Sequence, residues 1–247
     1  MRILVSFVFL IMVSFAQAAN EIDAKVEAAL AAESRPEADR MRDRNRRPLE
    51  TLKFFGMKDN MRVLELIPGG GWYTRVLAPV LAENGKLYVA ISTRRMGKDL
   101  LSRPEFGQIE VLETKENFRR PKNSRFYTLD EFDFGVTDLD MVLTFRNLHN
   151  LSVDGRATMN SAIFRALKPG GIYGVVDHTR RHMESDNAEN RRRLDPVLVV
   201  KELLEQGFEF VDYSTLHYRA DDELEYEVGR KSVTGNTDRF TLLFRRP

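Results

Sequence analysis

The sequence predicts a doubly wound α/β fold: a seven-stranded, mostly parallel sheet with helices on both faces, a helical N-terminal preface and an antiparallel last strand. Three observations predict it. Short apolar runs alternate with stretches of helical periodicity, the pattern of a parallel sheet wound on both sides. The first apolar run leads straight into three glycines, Gly69–Gly71, and then into an amphipathic segment. The last two runs are separated only by the polar stretch Arg219–Asp238, too polar for a crossover helix, so the final strand is expected to return antiparallel.

The elements follow in order. Met1-Arg2 is a short basic start, Ile3 to Phe15 is an apolar run, and Ala16-Gln17-Ala18 is a small-residue pattern. This is the layout of a secretory signal peptide over residues 1–18, with the mature chain beginning near Ala19. The run is shorter than the roughly 20 residues a bilayer span needs, which favours a cleaved leader over a permanent anchor. The protein is therefore expected to be exported, to the periplasm, without a membrane span after cleavage. Residues 19–56 form the preface. Ser34 and Glu37 have capping-box spacing around Pro36, and the charge run Asp39 to Arg47 follows. That run reads as a solvated helix face or as a cover for an active-site mouth. Gly56 closes a helix containing Leu49, Leu52, Phe54 and Phe55.

Residues 57–247 carry the α/β pattern. Val63–Leu66 is a strand, Trp72–Leu81 a helix with one apolar face, and Lys86–Ile91 the second strand. Ile109–Leu112 and Met141–Phe145 are the third and fourth. Met159, Ala162, Ile163, Ala166 and Leu167 have helical spacing and stop at Pro169-Gly170-Gly171, before the strand Ile172–Val176. Asp195 caps a helix begun by Pro196, and Phe208–Tyr213 and Phe240–Phe244 complete the sheet.

Composition narrows the function. The 247 residues include no cysteine, which excludes disulfides, thiolate nucleophiles and Cys-ligated metals together. A formal charge of +1 gives no global field for nucleic acid, so a small-molecule partner is expected. Oligomeric state is not legible.

Doubly wound sheets bind ligands at the carboxyl ends of their strands, where strand order reverses. The loop Ile67-Pro68-Gly69-Gly70-Gly71 stands there. Glycines allow close backbone approach, and the helix after them offers free amides. A dinucleotide fingerprint would need glycine at Thr74, and Ser92-Thr93-Arg94-Arg95 ends the second strand without an acid for a ribose. The two arginines keep an NADP-type reductase open as a further reading. His149, Asp177 and His178 fall at strand ends and are the candidate acid–base groups. His178 and His182 have one-turn spacing near Asp177 and Glu184, but Thr179–Asn190 lacks helical periodicity, so no metal site is expected. Arg180, Arg181 and Arg191–Arg193 read as a solvated rim or an anionic-substrate site.

Glu65-Leu66-Ile67-Pro68-Gly69-Gly70-Gly71, Asp140-Met141-Val142-Leu143 with Asn147 and His149, and Ala166-Leu167-Lys168-Pro169-Gly170-Gly171 running to Asp177 resemble the class I S-adenosylmethionine-dependent methyltransferases. With Gly207-Phe208 and Thr237-Asp238-Arg239-Phe240 the resemblance covers roughly Asp39 to Pro247. The Gly-Gly-Gly-Trp-Tyr-Thr loop, the Asp177-His178 pair and the leader are similar to a group of exported, predicted methyltransferases of bacteria. The resemblance implies a Rossmann-like fold and S-adenosyl-L-methionine as cofactor. Glu65, Gly69, Gly70 and Gly71 would meet its amino-acid end, with Trp72, Tyr73, Ser92 and Asn147 nearby and Glu113 at the adenine. Trp72 also reads as core, Glu113 as a surface carboxylate and Asn147 as a helix cap. Three departures stand out: Ile67 occupies the first glycine position, no carboxylate ends the second strand where the family usually holds the ribose hydroxyls, and an exported chain is parted from a cofactor made in the cytoplasm. They leave open a non-catalytic ligand-binding protein that kept the fold.

Overall fold

A computed structural model describes residues 22–247, so the leader expected over residues 1–18 lies outside the described residues. The strands are β1 (Arg62–Leu66), β2 (Lys86–Ala90), β3 (Glu110–Leu112), β4 (Leu139–Phe145), β5 (Leu167–His178), β6 (Glu209–Ser214) and β7 (Arg239–Arg245). They form one sheet in the order β3-β2-β1-β4-β5-β7-β6. The first five pair in parallel, and β7 runs antiparallel to both β5 and β6. The polar connection before β7, residues 215–238, holds no crossover helix and permits that return, as predicted. Strand order reverses between β1 and β4, which opens a crevice at their carboxyl ends.

Alternation along the strands builds two cores. Leu64, Leu66, Val142, Tyr173 and Val175 pack on one face against Met159 and Ile163 of α7 (Val153–Ala166) and Val199 and Leu203 of α8 (Pro196–Glu205). Val63, Val89, Met141 and Leu143 face the other side. There they meet Val76 and Leu77 of α5 (Thr74–Leu81), Leu100 of α6 (Gly97–Leu101), Leu52 of α4 (Pro48–Phe54) and Val26 of a first helix, α1, over residues 22–31. A parallel sheet covered on both faces needs such unbroken apolar strands. Glu65 is the exception in β1, and its parity places it on the α5 side.

The preface differs from one continuous helix. After α1 it makes two single-turn helices, α2 (Glu37–Arg40) and α3 (Asp43–Arg46), before α4. Arg47 takes a left-handed conformation, φ 41°, which turns the chain between α3 and α4. The expected Ser34–Glu37 capping box does not form: Pro36 precedes α2 and no side chain caps it. Arg35 instead is fully buried in a bidentate pair with Asp43, at 2.7 and 2.8 Å, and donates to the Leu30 carbonyl. The helix expected from Trp72 begins at Thr74, leaving Trp72 and Tyr73 in the turn before it. Ser152 caps α7 by accepting from the Gly155 amide, and Asp195 caps α8 through the Val197 amide. β6 lies at the sheet edge and is largely exposed.

Buried His217 ties the preface to the sheet. Its Nε2 donates to the Arg46 carbonyl at 2.9 Å and its Nδ1 accepts from the Thr241 hydroxyl at 2.7 Å. No helix among the described residues is long and apolar enough to cross a membrane.

Candidate active site

Three adjacent strands end in the same strained way. Ile67 after β1 has φ 49°, Ile91 and Ser92 after β2 have φ 64° and 55°, and Arg146 after β4 has φ 64°. A left-handed turn costs an ordinary L-residue roughly 1–2 kcal/mol, so a cluster of them at one crevice marks a constrained site. Asn147 holds this geometry by donating to the carbonyls of Leu66 and Ile67, at 3.3 and 3.2 Å. It does not cap the short helical turn that follows.

The crevice contains two adjoining cavities. The inner one, about 140 Å³, is bounded by Glu65, Gly69, Gly70, Trp72, Tyr73 and Asn147, with Arg46 and Arg146. The outer one is about 500 Å³, within the range of roughly 300–1,000 Å³ usual for small-molecule sites. Its walls include Gly69, Ser92, Asn147, His149 and His178. A side chain on Gly69 or Gly70 would project into open space, so the loop presents bare backbone to the cavity. Gly71 does something else: a Cβ there would stand 2.9 Å from Leu100 Cδ1, so this glycine permits packing under the loop.

Glu65 is 3% exposed and accepts from the Thr74 hydroxyl at 2.6 Å. Burial raises its carboxyl to about 7, against the pull of the Thr74 bond and of Arg46 and Arg75. A cationic ligand group beside it would reverse that burial penalty.

The aromatic pair at the loop is already engaged. The Trp72 indole N–H donates to the Asp39 carbonyl at 3.0 Å, and the Arg46 guanidinium lies 4.2 Å from its ring centre. Tyr73 stacks on Phe145 at 3.5 Å and donates to the Arg46 carbonyl. Both aromatic faces therefore have partners inside the chain. A second stacked pair, Phe118 and Tyr127 at 4.4 Å, lines the outer cavity.

The acid–base candidates sort into distinct roles. Asp177 is fully buried behind the wall and accepts from the His149 amide, His149 Nδ1 and the His178 amide, at 3.0, 2.5 and 2.8 Å. With Nδ1 held by the carboxylate, Nε2 of His149 is the ring nitrogen left for the cavity. His178 bonds Thr237 through Nδ1 at 2.9 Å. Burial, with His149 and three arginines adding to it, pushes His178 well below the usual imidazole range, so it stays neutral. His182 pairs with Asp195 at 2.9 Å, and no three-residue metal-ligating cluster exists among the described residues. Glu113 is exposed after β3 and is not part of either cavity wall.

Sequence reasoning missed Arg146, Arg239, Phe118, Tyr127 and Thr237, all in the cavity walls. Arg146 had a signal: it follows β4 directly at its carboxyl end. Arg42 and Arg46 turn from the charge run towards the cavities rather than to solvent.

No protein-family model matches the chain. It is 27% identical over 132 residues to an uncharacterised methyltransferase of Synechocystis sp., a match covering 53% of this chain. The chain spans 51% of that relative's length. Among solved structures it is similar to an S-adenosylmethionine-dependent methyltransferase from Aquifex aeolicus, with a TM-score of 0.58 and 18% identity over 91% of this chain and 98% of the other. It is also similar to a glycopeptide N-methyltransferase in complex with sinefungin, with a TM-score of 0.53 and 16% identity over 81% and 93%. The architecture is thus the Rossmann-like methyltransferase fold.

Proposed function

We propose that this chain is an exported methyltransferase that uses S-adenosyl-L-methionine to methylate a small molecule. The observation that carries the reading is the open cavity above Gly69 and Gly70 at the point where strand order reverses. It leaves room for a nucleoside against bare backbone, with His149 in the same wall. The exported location rests on the leader pattern of residues 1–18.

The residues present suit the cofactor. The amides of Gly69 and Gly70 and the Glu65 carboxylate would take its amino-acid end, one offering donors and the other a negative charge for the ammonium. Ser92 and the Phe118–Tyr127 stack would receive the nucleoside, since a stacked aromatic pair offers a flat apolar surface. The bound cofactor supplies an activated methyl group on a sulfonium. The chain itself supplies alignment, which lowers the barrier of an in-line transfer by removing orientational freedom. His149 Nε2 would take the proton released by a hydroxyl or amine acceptor, with Asp177 holding the ring in its tautomer. His178, neutral, would hydrogen-bond the acceptor without competing for its proton.

Calorimetry with S-adenosylmethionine and its demethylated product tests the binding step; one saturable site is expected, and absence of heat at millimolar ligand removes the cofactor. Transfer of a labelled methyl group to small molecules separates an enzyme from a binding protein with the same fold. His149→Gln is expected to lower turnover by about 10²–10⁴-fold and leave product affinity unchanged.

A further inference from the structure

We propose that the outer cavity receives an anionic acceptor, a small molecule bearing a carboxylate or phosphate group, held by Arg42, Arg146 and Arg239. This deepens the methyltransferase reading and rests on it for the word acceptor.

The arginines of the rim already have partners. Arg193 is buried in a bidentate pair with Asp222. Arg192 pairs with Glu227, Arg181 with Glu225 and Arg180 with Asp186. The rim that the sequence offered to an anionic substrate is therefore engaged within the chain, Arg191 and Arg192 sharing Glu227. Arg42, Arg146 and Arg239 in the cavity wall are not so paired. Arg42 and Arg146 make no side-chain hydrogen bond or ion pair among the described residues, and the Arg42 Nε is buried without a partner. Arg239, 4% exposed, donates only to the carbonyls of Thr237 and Asn45. No Asp or Glu lies in the wall of the outer cavity.

These guanidinium groups also act on one another. Burial, with Arg42 adding to it and Tyr73 and the buried Asp177 opposing, pulls Arg146 down from its ordinary value, and burial with Arg146, Arg219 and Arg42 pulls Arg239 down to about 10. A guanidinium stays charged at neutral pH, so the cavity wall carries positive charge with no carboxylate beside it in the wall. The cofactor does not relieve this. Its sulfonium and ammonium outnumber its carboxylate, so it adds a net positive charge. A second ligand bearing negative charge does relieve it, and planar guanidinium forks match carboxylate and phosphate oxygens.

The test is calorimetry on the full chain saturated with S-adenosylhomocysteine, using benzoate, phenyl phosphate and uncharged benzamide as probes. At least one anion is expected to bind about tenfold or more tightly than benzamide, since bonds to charged groups are the strong ones. Arg146→Gln and Arg42→Gln should each weaken that anion about tenfold or more. Arg42 lines the outer cavity alone and braces nothing in the fold, so in Arg42→Gln the S-adenosylhomocysteine affinity should change less than about threefold, and the two anions separate carboxylate from phosphate preference. Equal binding of benzamide and both anions overturns the proposal, as does an anion affinity indifferent to both substitutions. If S-adenosylhomocysteine itself fails to bind, the same titration on the ligand-free chain decides. Arginine-dependent anion binding then upholds the anion site while the cofactor reading falls.

Discussion

Glu65 allows a quantitative test of where the cofactor's amino group sits. Free of ligand, burial holds its carboxyl at about 7. An ammonium placed against it would restore the ordinary value near 4.5 and stabilise the ionised form. The sign follows directly. Below the free value the carboxyl is protonated and must lose its proton for the ion pair to form, so affinity falls as pH falls. At about pH 5.5 the chain stands some 1.5 units below the free value, which costs about 2 kcal/mol, or about 30-fold in Kd, relative to about pH 8. Titrating S-adenosylhomocysteine across that range by calorimetry measures the slope, and repeating it in buffers of different ionisation enthalpy counts the protons released. Glu65→Gln keeps the acceptor for Thr74 and removes the titration, so its affinity should be flat once the ligand's own ionisation, common to both proteins, is subtracted. A flat wild-type profile, or an equal slope in the variant, refutes the placement of Glu65 at the amino group.

Gly69→Asp should fold, at a cost of roughly 1 kcal/mol for its left-handed backbone, and lose cofactor binding because its side chain fills the open cradle. Gly71→Ala should instead lower the melting temperature, since its Cβ meets Leu100; if Gly69→Asp binds normally by calorimetry, the loop assignment is wrong. Trp72 is the only tryptophan and lies in the inner cavity wall, so its fluorescence should change saturably with S-adenosylhomocysteine. An unresponsive signal places the ligand elsewhere. Burial and Arg239 hold His217 at about 4 while the unfolded chain titrates near 6.5. Stability from this residue is therefore present above about pH 6.5 and lost on acidification towards 4, by about 3 kcal/mol. Glu65 contributes with the opposite sign, because its folded form keeps a proton the unfolded chain releases. Urea unfolding is therefore best compared between Glu65→Gln and a double variant adding His217→Gln. Equal pH slopes would contradict the buried neutral imidazole.

Which parts of the site could be read in advance depends on what builds them. Backbone-built parts were legible, because a conformation leaves a residue type behind: Gly69 at φ 62°, directly after a strand whose apolar run is unmistakable. Ile67 shows the same rule from the other side. Its position asked for glycine in the sequence, and the structure places it at φ 49°, a conformation that a β-branched residue adopts only under constraint. His149 and Asp177 were legible as types at strand ends, but their division of labour was not. Only the closed sheet shows that Asp177 lies behind the wall and that His178 is held neutral beside it. The arginines were hardest. An arginine in a charge run is ordinarily solvated, and nothing local distinguishes Arg44, which is exposed, from Arg42 and Arg46, which turn inward. What draws them in is tertiary: the Trp72 ring under Arg46, and a cavity assembled with Arg146 after β4 and Arg239 at the start of β7. Charge that gathers from such distant segments cancels in the net composition, so a chain with a formal charge of +1 can still present a strongly positive interior. The partner class that composition excludes is thus only the one recognised by bulk field; a small anion recognised inside the cleft is untouched by that exclusion.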